Sequence, residues 1–209
     1  MPTAHTIALF MTAGLALNLT PGPDMLFVAA QGTSGGRRAG LAAAGGIFLG
    51  CMVHIGAVAL GLATLLARVP AAYEAVRWAG AAYLVYLGGR ALFGPSPLAV
   101  APSARTGFRR NAVVQGVGTN ILNPKVALFF LAFVPQFVDP RRGPPAGQIV
   151  LLGMLFNTTG LIVNATVGGL ASRATDWLRV RPGAGRVLQR ITGGVFLALG
   201  VRLALLERR

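Results

Sequence analysis

The sequence predicts an all-α integral membrane protein with six transmembrane helices, built as two inverted three-helix repeats whose first and fourth helices are broken. Three observations carry that prediction. Of the 209 residues, 54% are apolar and 11% charged, and the mean hydropathy of +0.65 lies outside the usual mix of a water-soluble domain. Uncharged runs are long enough to cross a bilayer core of roughly 30 Å at about 1.5 Å per residue. The same pattern of residues also recurs in the two halves of the chain.

Ala39 to Ala67 and Gly143 to Ser172 are such runs. Met1 to Gly36 carries one acid, Asp24, and Asn111 to Val138 carries one base, Lys125, so each reads as a span holding a single charge. Ile7 to Leu19 reads as the start of the first span, not as a removable signal peptide, because no basic stretch precedes it. The third and sixth spans are shorter. Arg77 and Arg90 bracket twelve uncharged residues and Arg190 and Arg202 bracket eleven, but terminal arginines reach the headgroups while their stems lie along the helix.

Those two segments also give the clearest repeat. Arg77, Gly80, Tyr83, Leu84, Gly88 and Arg90 recur as Arg190, Gly193, Phe196, Leu197, Gly200 and Arg202 with one residue deleted, and Pro21 pairs with Pro124. Residues 1–92 then form one repeat, 93–110 a proline-containing joint, and 111–209 the second repeat. An odd number of helices per repeat inverts the second relative to the first, a plan common among secondary transporters. Eleven arginines fall in loops one, three and five and seven on the opposite side, which places both termini away from the cytoplasm.

The formal net charge of +14 does not indicate nucleic acid, because the arginines are spread over short loops with no soluble domain to form a groove. The lipid bilayer and its anionic headgroups are the expected counterpart. Cys51 is the single cysteine and, with His5 and His54 the only histidines, there is no recognisable nucleophile-and-base pair or metal-ligand set. No enzyme activity, cofactor or metal is expected.

Polar groups held at mid-depth are where function is expected. In Asn18-Leu19-Thr20-Pro21-Gly22-Pro23-Asp24, Pro21 and Pro23 remove the hydrogen bonds that the Leu17 and Leu19 carbonyls would accept, so the helix breaks there. The half-helix that restarts near Asp24 offers N–H groups to a carboxylate, while Asp24 and the freed carbonyls suit an ammonium or a proton. Asp24 also suits capping that half-helix, a role compatible with ligand binding. Asn120-Ile121-Leu122-Asn123-Pro124-Lys125 repeats the device, with Pro124 freeing the Asn120 carbonyl. Lys125, the single lysine, needs a partner at that depth, and Asp24 or a substrate carboxylate are the candidates. Candidate ligand-binding residues are therefore Asn18, Thr20, Gly22, Asp24, Asn120, Asn123 and Lys125. His54 joins Asp24 as a candidate proton carrier, with a hydrogen-bonded core histidine as the alternative. Asn157, Thr158, Thr159 and Asn164 form a polar stripe suited to joining helices.

Leu19-Thr20-Pro21-Gly22-Pro23-Asp24, Gly35-Gly36-Arg37-Arg38-Ala39-Gly40, Ala82-Tyr83-Leu84-Val85-Tyr86-Leu87-Gly88, Leu122-Asn123-Pro124-Lys125 and Phe133-Val134-Pro135-Gln136-Phe137 occur in that order. In this the chain resembles the LysE/RhtB amino-acid exporters over nearly its whole length. The resemblance implies a multi-pass protein of the bacterial inner membrane that exports amino acids such as threonine, homoserine, leucine or lysine, driven by the proton gradient. Cys51 departs from the family pattern, where an acid or a small residue is common, so coupling would rest on Asp24 together with His54. A homodimer is compatible with the glycine-rich faces. A structural or accessory membrane protein, or an exporter of another small polar solute, are the other readings.

Overall fold

The computed structural model describes residues 1–62 and 112–171, together with isolated helical positions between 78 and 93 and between 190 and 204. Most of the third and sixth predicted spans, the 93–110 joint beyond Phe93, and the arginines of the third and fifth loops other than Arg190 lie outside the described residues. The described residues are almost entirely helical, and no strand occurs among them.

Helix α1 covers Ala4–Leu19. The Thr3 hydroxyl caps it by accepting the Thr6 N–H at 3.1 Å. It stops where Pro21 can no longer donate, and the Thr20 N–H closes the last turn onto the carbonyls of Ala16 and Leu17, both at 3.1 Å. Its 16 residues reach only about 24 Å. The chain then runs extended through Thr20 and Gly22 and restarts at Pro23, whose fixed φ suits the first helical position.

Helix α2, Pro23–Ala57, has 35 residues, about 53 Å of helix and too long for a single straight crossing. Gly36 interrupts it with φ 78° and ψ 179°, a conformation glycine adopts without a Cβ penalty. A π turn, Val58–Leu62, follows. Helix α3, Ala112–Ile121, and helix α4, Pro124–Leu128, are separated by the second break. Helix α4 continues through a π turn, Phe129–Phe133, and a 3-10 turn, Val134–Phe137, and the two arms are bent by 49°. Helix α5, Pro145–Gly169, has 25 residues. Among the described residues, two helices are long and apolar enough to cross a membrane, or three if the bent α3–α4 pair is one span.

Helix α2 lies against both α3 and α5, and glycines set the closeness of both contacts. A Cβ on Gly50 would come within 2.8 Å of the Val117 carbonyl oxygen, one on Gly116 within 2.6 Å of the Ala43 oxygen, and one on Gly46 would overlap the Val113 carbonyl. In lipid, where apolar side chains gain little by leaving solvent, such backbone approach is what joins helices. Gly45 faces open space. Gly46→Ala is therefore expected to destabilise the protein by about 1–3 kcal/mol, as overpacking against backbone does. Gly45→Ala is expected to be neutral or mildly stabilising. Thermal unfolding of the two variants in detergent separates them.

The short spans also approach each other closely: a Cβ on Gly88 would lie 3.0 Å from the Gly193 oxygen, and one on Gly193 3.0 Å from the Gly88 oxygen. An aromatic core lies between α1, the arm that α4 begins, and α5. Phe10 and Phe130 are fully buried, and the rings of Phe129 and Phe156 stack with centroids 4.5 Å apart. The polar centre sits beside this core, at the two helix breaks.

Candidate functional site

Both breaks free backbone carbonyls, and in both cases a side chain from elsewhere in the chain occupies them. The Lys125 ammonium donates to the carbonyl oxygens of Leu17 and Thr20, each at 3.0 Å. Leu17 is the acceptor that Pro21 leaves without its helical donor. The end of α1 is also the negative pole of that helix, so the cation meets both free lone pairs and a favourable dipole. The lysine stem lies over Gly22, where a Cβ would come within 3.1 Å of Nζ and 3.6 Å of Cδ. Lys125 thus ties the start of α4 to the end of α1. It forms no ion pair with Asp24, one of the two partners expected from the sequence; within the chain its partners are the Leu17 and Thr20 carbonyls.

The second break is organised by Asn120, 2% exposed at the end of α3. Its carbonyl, freed by Pro124, accepts from the Asn123 N–H at 3.0 Å and lies 3.1 Å from His54 Nε2. A carbonyl only accepts, so Nε2 of His54 carries the proton. The imidazole also lies nearly parallel to the Phe130 ring, with centroids 6.0 Å apart and planes inclined by 10°. Asn120 Nδ2 donates to Asp24 Oδ2 at 2.7 Å. One residue therefore joins the α2 carboxylate and the α2 imidazole, which are 30 positions apart in sequence, across the α3 terminus.

Asn123 caps α4: its Oδ1 accepts the Lys125 N–H at 3.0 Å. That bond fixes the orientation of its amide, and the bond from Asn120 Nδ2 to Asp24 fixes the other. Three polar atoms of this group are buried without a hydrogen-bond partner: Asp24 Oδ1, Asn120 Oδ1 and Asn123 Nδ2. Two are acceptors and one is a donor. Buried polar atoms ordinarily find partners, so the centre presents an unmet demand for a ligand that can donate twice and accept once.

Of the residues singled out in the sequence, Asp24, Asn120, Asn123, Lys125 and Gly22 come together. Thr20 contributes its carbonyl, while its hydroxyl turns back to the Ala16 oxygen at 2.6 Å. Asn18 points elsewhere: its Nδ2 donates to the Phe156 carbonyl and the Thr159 hydroxyl oxygen, both at 3.0 Å, tying α1 to α5. In the polar stripe, Asn157 Nδ2 likewise donates to the Phe48 carbonyl at 3.1 Å, joining α5 to α2. Cys51 is buried as a small core residue. Phe130 was not legible as a site residue, since a phenylalanine in an apolar run gives no sign of facing an imidazole.

Helices of membrane-spanning length around a buried carboxylate, amide and ammonium at two paired breaks define a helical membrane protein with a polar centre. Residues 15–207 match the LysE type translocator family, and the chain belongs to that family. It is 29% identical over 195 residues to a homoserine/homoserine lactone efflux protein of Salmonella typhimurium, covering 93% of this chain and 94% of that one. It is 27% identical over 199 residues to a leucine efflux protein of Klebsiella pneumoniae, covering 95% and 94%. An uncharacterized membrane protein of Pseudomonas aeruginosa is 32% identical over 191 residues, covering 89% and 88%. No solved structure matches the chain.

Proposed function

We propose that this protein is a secondary transporter that exports small amino acids or their derivatives across the bacterial inner membrane in exchange for protons. In this reading Asp24 receives the substrate ammonium and the proton in turn. The carrying observation is the buried Asp24 carboxylate with one oxygen bonded to Asn120 and the other without a partner. A carboxylate at that depth is costly unless something pairs with it.

The relatives' names support the choice of group. Homoserine, its lactone and leucine share an α-amine, whereas the lactone has no free carboxylate. Amine recognition at Asp24 is the common requirement, and a carboxylate, where present, is held by Lys125 and by the first turn of α2, which has no side-chain cap. Transport then follows from rocking of two inverted three-helix repeats, 1–92 and 111–209, about this centre. Paired breaks at Pro21 and Pro124, each followed within a few residues by a charged side chain, support that arrangement.

Efflux of a labelled amino-acid panel from cells overproducing the protein, with and without an uncoupler, tests this. Faster efflux of homoserine, leucine or a related compound, abolished by the uncoupler, is the expected result. Efflux no faster than in cells lacking the protein, for every member of the panel, contradicts the reading.

A further inference from the structure

The proton-exchange reading leaves open what holds the proton once Asp24 has taken it, and the orphaned atoms answer that. We infer that Asn120 is the proton-holding partner of Asp24: in the protonated state the two side chains close a cyclic acid–amide pair. The inference rests on the reading of Asp24 as proton carrier and adds a specific role for Asn120.

A carboxylic acid and a primary amide are complementary through two hydrogen bonds, amide N–H to acid carbonyl and acid O–H to amide carbonyl. The first of these is already present, from Asn120 Nδ2 to Asp24 Oδ2 at 2.7 Å. The atoms needed for the second, Asp24 Oδ1 and Asn120 Oδ1, are both buried and both without a partner. Two acceptors cannot satisfy each other. A single proton on Oδ1 turns one of them into a donor and gives both a partner. Asn120 is held in register for this by its own backbone, whose carbonyl is engaged by His54 and by the Asn123 N–H.

Other groups around the carboxylate do not replace Asn120 in this role. Among the described residues, the titratable groups near Asp24 are Lys125, His54 and Cys51. Lys125 spends two of its three N–H donors on the Leu17 and Thr20 carbonyls, and His54 directs Nε2 to the Asn120 backbone. Asn123 lies beside the carboxylate, but its Nδ2 is a donor and cannot accept the acid proton. A substrate ammonium satisfies the same two acceptors as the proton does. Occupancy by proton and by amine is then mutually exclusive at one pair of atoms, which is what obligatory exchange requires.

Infrared difference spectroscopy of the purified wild-type protein, titrated with acid, tests the pairing. An Asp24→Asn variant identifies the Asp24 acid-carbonyl band by its loss. The expected wild-type band lies at the low frequency of a doubly hydrogen-bonded acid, and it moves to higher frequency in Asn120→Leu, a substitution of similar volume. An asparagine amide-carbonyl band is expected to shift down in step with Asp24 protonation in the wild-type protein, and this readout stands if Asn120→Leu does not fold. A wild-type asparagine band that does not move, or an Asp24 band at the same frequency in Asn120→Leu, overturns the pairing while leaving Asp24 as the carrier. Absence of any Asp24 acid band over the range in which the protein stays folded overturns the proton-carrier reading with it.

Discussion

Asp24→Asn is expected to yield a folded, membrane-inserted protein whose uphill efflux is lost, with exchange of labelled for unlabelled substrate reduced by about 10- to 100-fold. The magnitude follows from the lost charge: a hydrogen bond to a charged group contributes about 1.5–3 kcal/mol, and each 1.4 kcal/mol is a factor of ten. The amide keeps the size of the carboxyl and one oxygen to accept from Asn120 Nδ2. Folding is not expected to suffer, because an uncharged side chain at this depth is less costly than an ionised one. Initial rates beside thermal unfolding of the same preparation distinguish a transport defect from a stability defect. Wild-type uphill efflux in the variant contradicts the role given to Asp24.

Lys125→Met is expected to have the second largest effect, and on stability as well as transport. Methionine has nearly the length of lysine without the ammonium, so the Thr20 carbonyl loses its donor and Leu17 keeps only the Thr20 N–H. An unsatisfied buried acceptor costs about 1–3 kcal/mol, and the tie between α1 and α4 goes with it. A lowered thermal midpoint together with lost efflux is the expected result. Lys125→Arg is not expected to restore either property, because the stem runs within 3.6 Å of where a Gly22 Cβ would lie and leaves little room for a planar guanidinium. A variant as stable as wild type shows that the two carbonyls are satisfied by other means.

The most legible parts of this molecule are the two helix interruptions. A proline lacks its N–H wherever it sits, so the ends of α1 at Leu19 and α3 at Ile121 follow from local covalent structure. Sequence also brings Asp24 and Lys125 to notice, because a lone charge in an apolar run stands out. Partner choice is far less legible. Lys125 finds backbone carbonyls over a hundred positions away, and every residue has a carbonyl, so nothing in the residue types marks those two. Asn18 is the opposite case. Its closeness in sequence to Pro21 suggests a place in the centre, but the helical turn directs it to α5. Glycines show the same limit: Gly45 and Gly46 are adjacent and identical in type, yet only the second faces the Val113 carbonyl, a distinction set by helix rotation.

The most direct test of exchange at Asp24 is substrate-driven proton movement in proteoliposomes that enclose a pH-sensitive dye. An outward gradient of homoserine or leucine, imposed without any initial pH difference, is expected to acidify the lumen as protons enter in exchange for departing substrate, and Asp24→Asn is expected to abolish that signal. Substrate flux with no accompanying proton movement in the wild-type protein contradicts proton exchange.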